Sequence, residues 1–264
     1  MSRPVLALLS DFGLRDHYVG SMKAAALSVC PDATLVDITH DVAPHDVLDG
    51  ALQLSAAYRY FPAGTVFVAV VDPGVGSTRR GIAADCGDYR FVAPDNGLLT
   101  AVLAETPAKR LVELTERRYF RPTVSRTFEG RDRFAPAAAW LLRGIELTAL
   151  GRPVSNPVLL DLPRPEIAGD RLHGVILRED RFGNLITNLD RKTFEKFVAG
   201  QAFSLHAGDS TIGRVVSTYA EIGGDEVCGL FGSADYLELA ARSDRASLRL
   251  NLGSGAPVVV RKGA

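Results

Sequence analysis

Apolar positions in the first half of the chain follow two alternating spacings, and the alternation predicts the order of elements. Residues 5–9 (VLALL) and 65–71 (TVFVAVV) are short apolar runs with no polar alternation, as in strands buried on both faces. Residues 34–38 predict another strand. Between these runs, residues 18–29 and 46–60 have helical spacing; Val47, Ala51, Leu54 and Tyr58 share one face of the second stretch. Cys30-Pro31-Asp32 reads as the turn after the first helix. Residues 82–84 and 90–93 predict a strand pair joined at Gly87-Asp88, and residues 133–143 an Ala- and Leu-rich helix. Strands alternating with helices predict an α/β fold, with a mainly parallel sheet flanked by helices.

The texture changes near residue 150. Gly151, Pro153, Pro157, Pro163 and Pro165 crowd a short stretch that reads as a linker over 151–167. Beyond it, strand-like segments recur at 172–177, 185–188, 203–206, 211–216, 226–231, 247–250 and 258–260. Turn signals such as Gly223-Gly224 and Gly253-Ser254-Gly255 separate them. The expectation is an α/β domain over 1–150 and a small antiparallel β-barrel domain over 168–264.

Composition adds exclusions. Apolar residues are 47% and charged residues 23% of 264, the balance of a soluble globular protein. The net charge is −1 and the basic residues are scattered, so no nucleic-acid or anionic-lipid partner is expected. The run at 5–9 is too short for a signal sequence, and nothing approaches the roughly 20 apolar residues of a membrane span. A cytoplasmic location is expected. Cys30, Cys86 and Cys228 lie far apart without CxxC spacing and read as buried thiols. The five histidines lack metal-ligand spacing and there is no GxSxG elbow, so neither a metal site nor a serine triad is expected.

Three predicted strands end on an aspartate: Asp11, Asp37 and Asp72. Ligands of open parallel sheets bind beyond the carboxyl ends of the strands. Acidic groups there suit a ribose diol, a metal or a cationic substrate, although each Asp could equally cap a helix or begin a turn. Asp37 reads better as a cap or turn. Asp11 and Asp72, with glycines just downstream, read better as ligand-facing. Residues 71–80 (VDPGVGSTRR) form a tight loop in which backbone can approach a ligand closely. Asp72 and Arg79 flank that loop, and the pair could hold a water or simply close a turn. Two loops, APDNGLLT (93–100) and DRFGNLITN (180–188), contain Asn, which offers the donor and acceptor of an adenine edge; Phe182 offers a stacking face. Turn chemistry accounts for either loop taken singly.

Taken together, SDFGLRDHYVG (10–20), PHDVLDGA (44–51), FVAVVDPGVGSTRR (67–80), APDNGLLT (93–100), TFEGRDRFAP (127–136), DRFGNLITN (180–188) and GSADYLELA (232–240) are familiar. The chain resembles the S-adenosylmethionine hydroxide adenosyltransferase family, relatives of fluorinase and chlorinase enzymes, from about residue 5 to residue 250. The resemblance implies a substrate, S-adenosylmethionine (SAM), hydrolysed to adenosine and methionine without a cofactor. It also implies a homotrimer, each site lying between the N-terminal domain of one subunit and the C-terminal domain of its neighbour. By the same resemblance, Asp11 grips the ribose hydroxyls and Asp16 lies near the methionine part. Asp180 holds the methionine amino group, and Phe182 and Asn184 contact the purine. Ser233, Ala234 and the segment around Ala241-Arg242 match contacts to adenine and the methionine carboxylate. Asn96 and Phe128, within shared motifs, are further expected substrate contacts.

Asp72 and Arg79 match two members of the family's hydrolytic set, and Glu129 stands where its histidine is expected. Halogenase relatives carry Tyr and Thr in place of Asp72 and Val75, and a carboxylate opposes a halide, so water is the expected nucleophile. Glu129 could orient Arg79 or the water, act as the general base, or mark a member that binds without turnover. The first is the expectation. A halogenase and a SAM- or adenosine-binding protein are the alternatives to hydrolysis.

Overall fold

A computed structural model describes residues 3–263. The first unit runs through Leu162 and the second begins at Pro163. The first contains β1 (Val5–Ser10), α1 (Tyr18–Leu27), β2 (Thr34–Thr39), α2 (Val47–Tyr58), β3 (Val66–Val70), β4 (Gly81–Cys86), β5 (Tyr89–Pro94), α3 (Thr100–Glu105) and β6 (Arg110–Leu114). A π-helical turn, Gly130–Phe134, then leads into α4 (Ala135–Leu142), and β7 (Gly151–Pro153) closes the sheet. The strand order is β2-β1-β3-β5-β4-β6-β7. β2, β1, β3 and β5 run parallel, whereas β4, β6 and β7 add an antiparallel half.

Strand alternation explains the two cores. Leu6 and Leu8 of β1 join Val68, Val70, Met22 and Phe134 on one face of the sheet. Ala7 and Leu9 join Phe67, Phe91, Leu54 and Leu98 on the other. The apolar runs read from the sequence lack alternation because both faces are covered. Asp46 caps α2 by accepting from Asp49 N at 2.9 Å, which fixes where that helix starts.

The segment expected as a linker over 151–167 is largely part of the first unit. Gly151–Pro153 pairs with β6 at the sheet edge, a place where proline costs no ladder bond. Farther on, Val158 N donates to Asp95 at 2.8 Å and Leu160 N to Thr100 Oγ1 at 2.9 Å.

The second unit contains β8 (Glu166–Ala168), β9 (Arg171–Glu179), β10 (Leu185–Asp190), α5 (Arg191–Val198), β11 (Phe203–Ala207), β12 (Ser210–Ile212), β13 (Val215–Val216), β14 (Val227–Phe231), β15 (Tyr236–Ala241), α6 (Ala246–Leu250) and β16 (Pro257–Lys262). Its order is β12-β11-β16-β9-β10-β15-β14-β13, with β8 on β9. The pairing is antiparallel except for β13 with β14. β12 comes back against β14, so the sheet curls into a half-barrel. Its interior is filled by Leu172, Leu205, Leu237 and Leu239, together with Phe194 and Phe197 of α5.

Two expectations are corrected here. Residues 247–250 are helical rather than a strand: Ser247 and Arg249 alternate with Leu248 and Leu250 over only four positions, too few to distinguish the two periods. Residues 211–216 are not one strand, because the chain breaks around Gly213 into β12 and β13 at opposite ends of the sheet. β6, β7, β8, β15, α3 and α5 are elements beyond those expected.

Cys30, Cys86 and Cys228 are buried free thiols. Burial, reinforced by the Asp85 charge, pushes the Cys86 thiol up to about 12. Among the described residues, no helix is long and apolar enough to cross a membrane.

Phe67 tests the core directly. It stacks on Phe91 at 4.8 Å and meets Phe61 edge-on at 5.1 Å. Phe67→Ala is expected to lower the unfolding free energy by about 3–5 kcal/mol in urea titrations, the usual cost of an aromatic truncation in a filled core.

Candidate active site

The parallel half of the first sheet delivers the acidic loops to one edge. β1 and β3 are neighbours in register, with Ser10 opposite Val70, so the loops carrying Asp11 and Asp72 leave adjacent strands on the same side. Asp37 is not part of this edge. β2 continues past it to Thr39, and Asp37 pairs with Lys23 at 2.6 Å and lies 3.1 Å from His40. Asp11 accepts from His45 N at 2.9 Å, which turns its carboxylate towards the 40–45 loop. Asp16 is exposed on the following turn. Phe128 packs edge-on against Phe12 and Tyr18, with ring centroids 5.8 and 5.2 Å away.

The 71–80 loop folds back on itself by two short turns. Val75 N donates to Asp72 O at 3.2 Å, and Ser77 N to Gly74 O at 3.1 Å. Gly76 holds a left-handed conformation with φ 79°, and a Cβ there would lie 2.6 Å from the Arg126 carbonyl oxygen. Only glycine fits without displacing backbone. The fold-back brings Arg79 onto Asp72 in a two-point pair: Nε donates to Oδ1 at 2.9 Å and Nη2 to Oδ2. Nη1 of the same guanidinium lies 2.7 Å from Glu129 Oε2.

The three side chains brought together are 5%, 10% and 14% exposed for Asp72, Arg79 and Glu129. Arg79 also lies over the Phe134 ring at 5.3 Å. Burial pulls the Arg79 guanidinium down, but its hydrogen bonds to Asp72 and the charges of Asp72 and Glu129 outweigh that and hold it above the usual arginine range. It remains charged at any working pH.

Glu129 immediately precedes the π-helical turn, a geometry often found at functional positions. That turn is anchored by Asp132, which is fully buried and accepts from Ser125 N at 2.9 Å and from Arg131. Asn96 braces the other side. Its amide donates to Val71 O at 2.8 Å and accepts from Leu98 N, so it fixes the backbone just before Asp72. The expectation made it a substrate contact; the structure engages it with the scaffold.

The second unit holds a separate cavity of about 1140 Å³, lined by Asp180, Phe182, Asn184, Ser233, Ala241 and Arg242, among others. Asp180 organises its rim. Oδ1 accepts from Phe182 N and Asn184 N at 2.8 and 2.9 Å, and Oδ2 from Asn184 Nδ2 at 2.9 Å. This Asx-type turn presents the Phe182 ring, 76% exposed, while Asn184 stays buried. Ala234 sits on the exposed turn after Ser233 and does not line the cavity.

Sequence reasoning missed Glu238, a buried carboxyl in this wall that accepts from Tyr219 OH at 2.8 Å. The signal was a lone acid within the otherwise apolar strand LELAA. Burial pushes this carboxyl above the usual range, with the nearby Asp180 charge adding to it; the Tyr219 bond and Arg178 oppose the shift. Among the described residues, no group of three or more His, Cys, Asp or Glu side chains could hold a metal ion.

Comparison with known proteins places these features among relatives. Residues 6–151 match the SAM hydroxide adenosyltransferase N-terminal domain, and residues 174–259 the corresponding C-terminal domain. A Thermus thermophilus protein named (R)-S-adenosyl-L-methionine hydrolase is 39% identical, covering 97% of this chain and 98% of its own length. A protein named fluorinase from Actinoplanes is 32% identical, covering 98% of each chain. A solved structure of an uncharacterized conserved protein from Thermotoga maritima matches with a TM-score of 0.92 at 33% identity, covering 97% of this chain and 100% of that one.

The Glu238 shift makes a signed prediction. A carboxyl raised on folding contributes stability below its ordinary range and loses it as pH rises through the raised value. Glu238→Gln mimics the protonated form. The variant is expected to be more stable than the parent at about pH 8, with the difference vanishing towards about pH 4. Thermal melts across that range would read it, and a pH-independent difference would contradict it.

Proposed function

The chain belongs to the SAM hydroxide adenosyltransferase family, and on that premise we propose that it hydrolyses SAM to adenosine and L-methionine. The observation that carries this reading is the clamp of Arg79 between Asp72 and Glu129. It sets a fixed carboxylate at the edge of a parallel sheet, where a halide would be repelled and a water held.

The reaction is an in-line displacement at ribose C5′. The water oxygen forms the new C5′–O bond as the C5′–S bond breaks, and the electron pair stays on sulfur as methionine leaves as a neutral thioether. The water's proton passes to the carboxylate of Asp72 and on to solvent. Arg79 keeps that carboxylate in one orientation, and Glu129 keeps Arg79 in place. The sulfonium is already a good leaving group, so the step needs no cofactor. Alignment and exclusion of bulk water supply most of what remains.

Asp11 suits the ribose hydroxyls and Phe182 the purine face. Asp16, Phe128, Asp180, Asn184, Ser233, Ala241 and Arg242 stand as the further substrate contacts, the methionine ammonium being drawn to the acidic rim at Asp180. We assign the complete site to a homotrimer, the Asp72 half coming from one subunit and the Asp180 half from its neighbour. The exposed apolar side chains of Phe182 and Leu14 support such covering. A cytoplasmic location fits the three free thiols, which a reducing compartment preserves.

The direct test is chromatography of the purified chain with SAM in halide-free buffer, using both sulfonium epimers because the Thermus thermophilus relative carries the (R) descriptor. Repeated turnover to adenosine supports hydrolysis. Bound but unconverted SAM would make the chain a binding protein, and a halogenated nucleoside on adding halide would make it a halogenase. Asp72→Ala is expected to lower kcat by about 100-fold or more while SAM affinity changes little; unaltered turnover would remove Asp72 from the mechanism. Phe182→Ala should weaken adenosine binding about ten-fold in calorimetry, the size of a lost base-stacking contact.

A further inference from the structure

Arg133 lies four residues beyond Glu129, within the π-helical turn that Glu129 precedes, and has no part in the chemistry above. Its side chain is 15% exposed. Nη1 is 3.5 Å from Glu129 Oε2, the same oxygen that Arg79 Nη1 reaches at 2.7 Å. Nη2 donates to the Leu114 carbonyl at the end of β6. Nε is one of only two buried side-chain polar atoms without a hydrogen-bond partner among the described residues. The guanidinium lies over Phe120 at 5.4 Å, and a Cβ at Gly81 would come within 3.2 Å of its Cζ.

A buried guanidinium with an orphaned donor is a costly way to hold one backbone carbonyl. A neutral donor could bond Leu114 without that desolvation. What only a cation supplies is a counter-charge for Glu129. The side chains alternate in sign as Asp72, Arg79, Glu129 and Arg133, so each inner member faces two opposite charges and the row is neutral. Removing Arg133 leaves two carboxylates to share one guanidinium, and Glu129 loses the second contact that fixes Oε2.

We propose that Arg133 is a positioning residue of the hydrolytic site: it pins Glu129 onto Arg79 and thereby fixes the orientation of Asp72. The inference rests on the hydrolase reading for its kinetic consequence, while its structural content stands separately. Burial holds the Arg133 guanidinium below the usual arginine range, with the Arg79 charge adding to this and the Glu129 and Glu113 charges opposing it.

The test is a double-mutant cycle on adenosine formation with Arg133→Met, Glu129→Gln and the combination, plus Arg133→Lys. Arg133→Met is expected to lower kcat about ten-fold while KM stays within about two-fold, and Arg133→Lys to recover part of the loss. In the Glu129→Gln background, Arg133→Met should cost little more. The same loss in both backgrounds would make Arg133 a tether for Leu114 only and overturn the proposal, as would unchanged kcat. Urea denaturation of the same cycle needs no turnover: coupled stability changes are expected, and additive ones would overturn the proposal. A parent chain that binds SAM without forming adenosine defeats the hydrolase reading alone, and denaturation still decides on Arg133.

Discussion

The buried guanidinium of Arg79 is the constraint around which the first unit is arranged. An ion taken out of water loses several kcal/mol of solvation, and it recovers this only when its partners are held in good geometry. Each partner here is held by a different element. Asp72 leaves the end of β3, with Asn96 bracing the preceding backbone. Arg79 reaches it because Gly76 takes a conformation that other residues avoid. Glu129 arrives at the head of a π-helical turn that Asp132 anchors. The strand edge, the glycine turn and the irregular helix are thus three solutions to one electrostatic requirement.

The second unit achieves order by other means. Asp180 instead folds its own loop by accepting backbone and side-chain N–H groups, and this leaves an aromatic face in solvent. A loop whose backbone is already fixed and which carries an exposed ring suits stacking on a flat ligand, because little backbone freedom remains to be lost on binding. The proposed reacting group and the proposed recognition group therefore sit on different units of the chain.

What was legible in the sequence follows the same physics. β1 and β3 were readable because burial on both faces leaves an uninterrupted apolar run, and α2 because its buried face repeats at helical spacing. β7 was not, since an edge position tolerates Pro153, and β6 was not, since Arg110 and Glu113 interrupt its apolar run, Arg110 being paired with Asp85 on the neighbouring β4. The pairing of Asp72 with Arg79 could be anticipated from the tight loop between them. The reach of Arg79 to Glu129 was expected only through the family resemblance, because the two residues are far apart in the chain and no local pattern joins them. Asn96 is ambiguous in sequence because amide chemistry reads the same whether it meets a purine or a backbone carbonyl, and the bonds it makes within the chain are to the backbone of Val71 and Leu98. Glu238 and Arg133 escaped notice for the converse reason: a lone charge in an apolar stretch gains meaning only when its burial and partner are seen.

Charge balance also bears on the choice of nucleophile. In halide attack the anion and the sulfonium annihilate each other's charge, so a site for that reaction must hold an anion close to the carbon. In water attack the positive charge moves from sulfur to the incoming oxygen and leaves as a proton. A neutral row of alternating charges that ends on a carboxylate neither repels the sulfonium nor stores an anion. In the proposed hydrolysis such a row stabilises the cationic oxygen as it forms, with its charges already oriented before the substrate arrives. An extra carboxylate at position 129 without a compensating cation would upset that neutrality, drawing cations in general rather than stabilising one developing charge. Arg133, in the turn that follows Glu129, supplies that compensating cation.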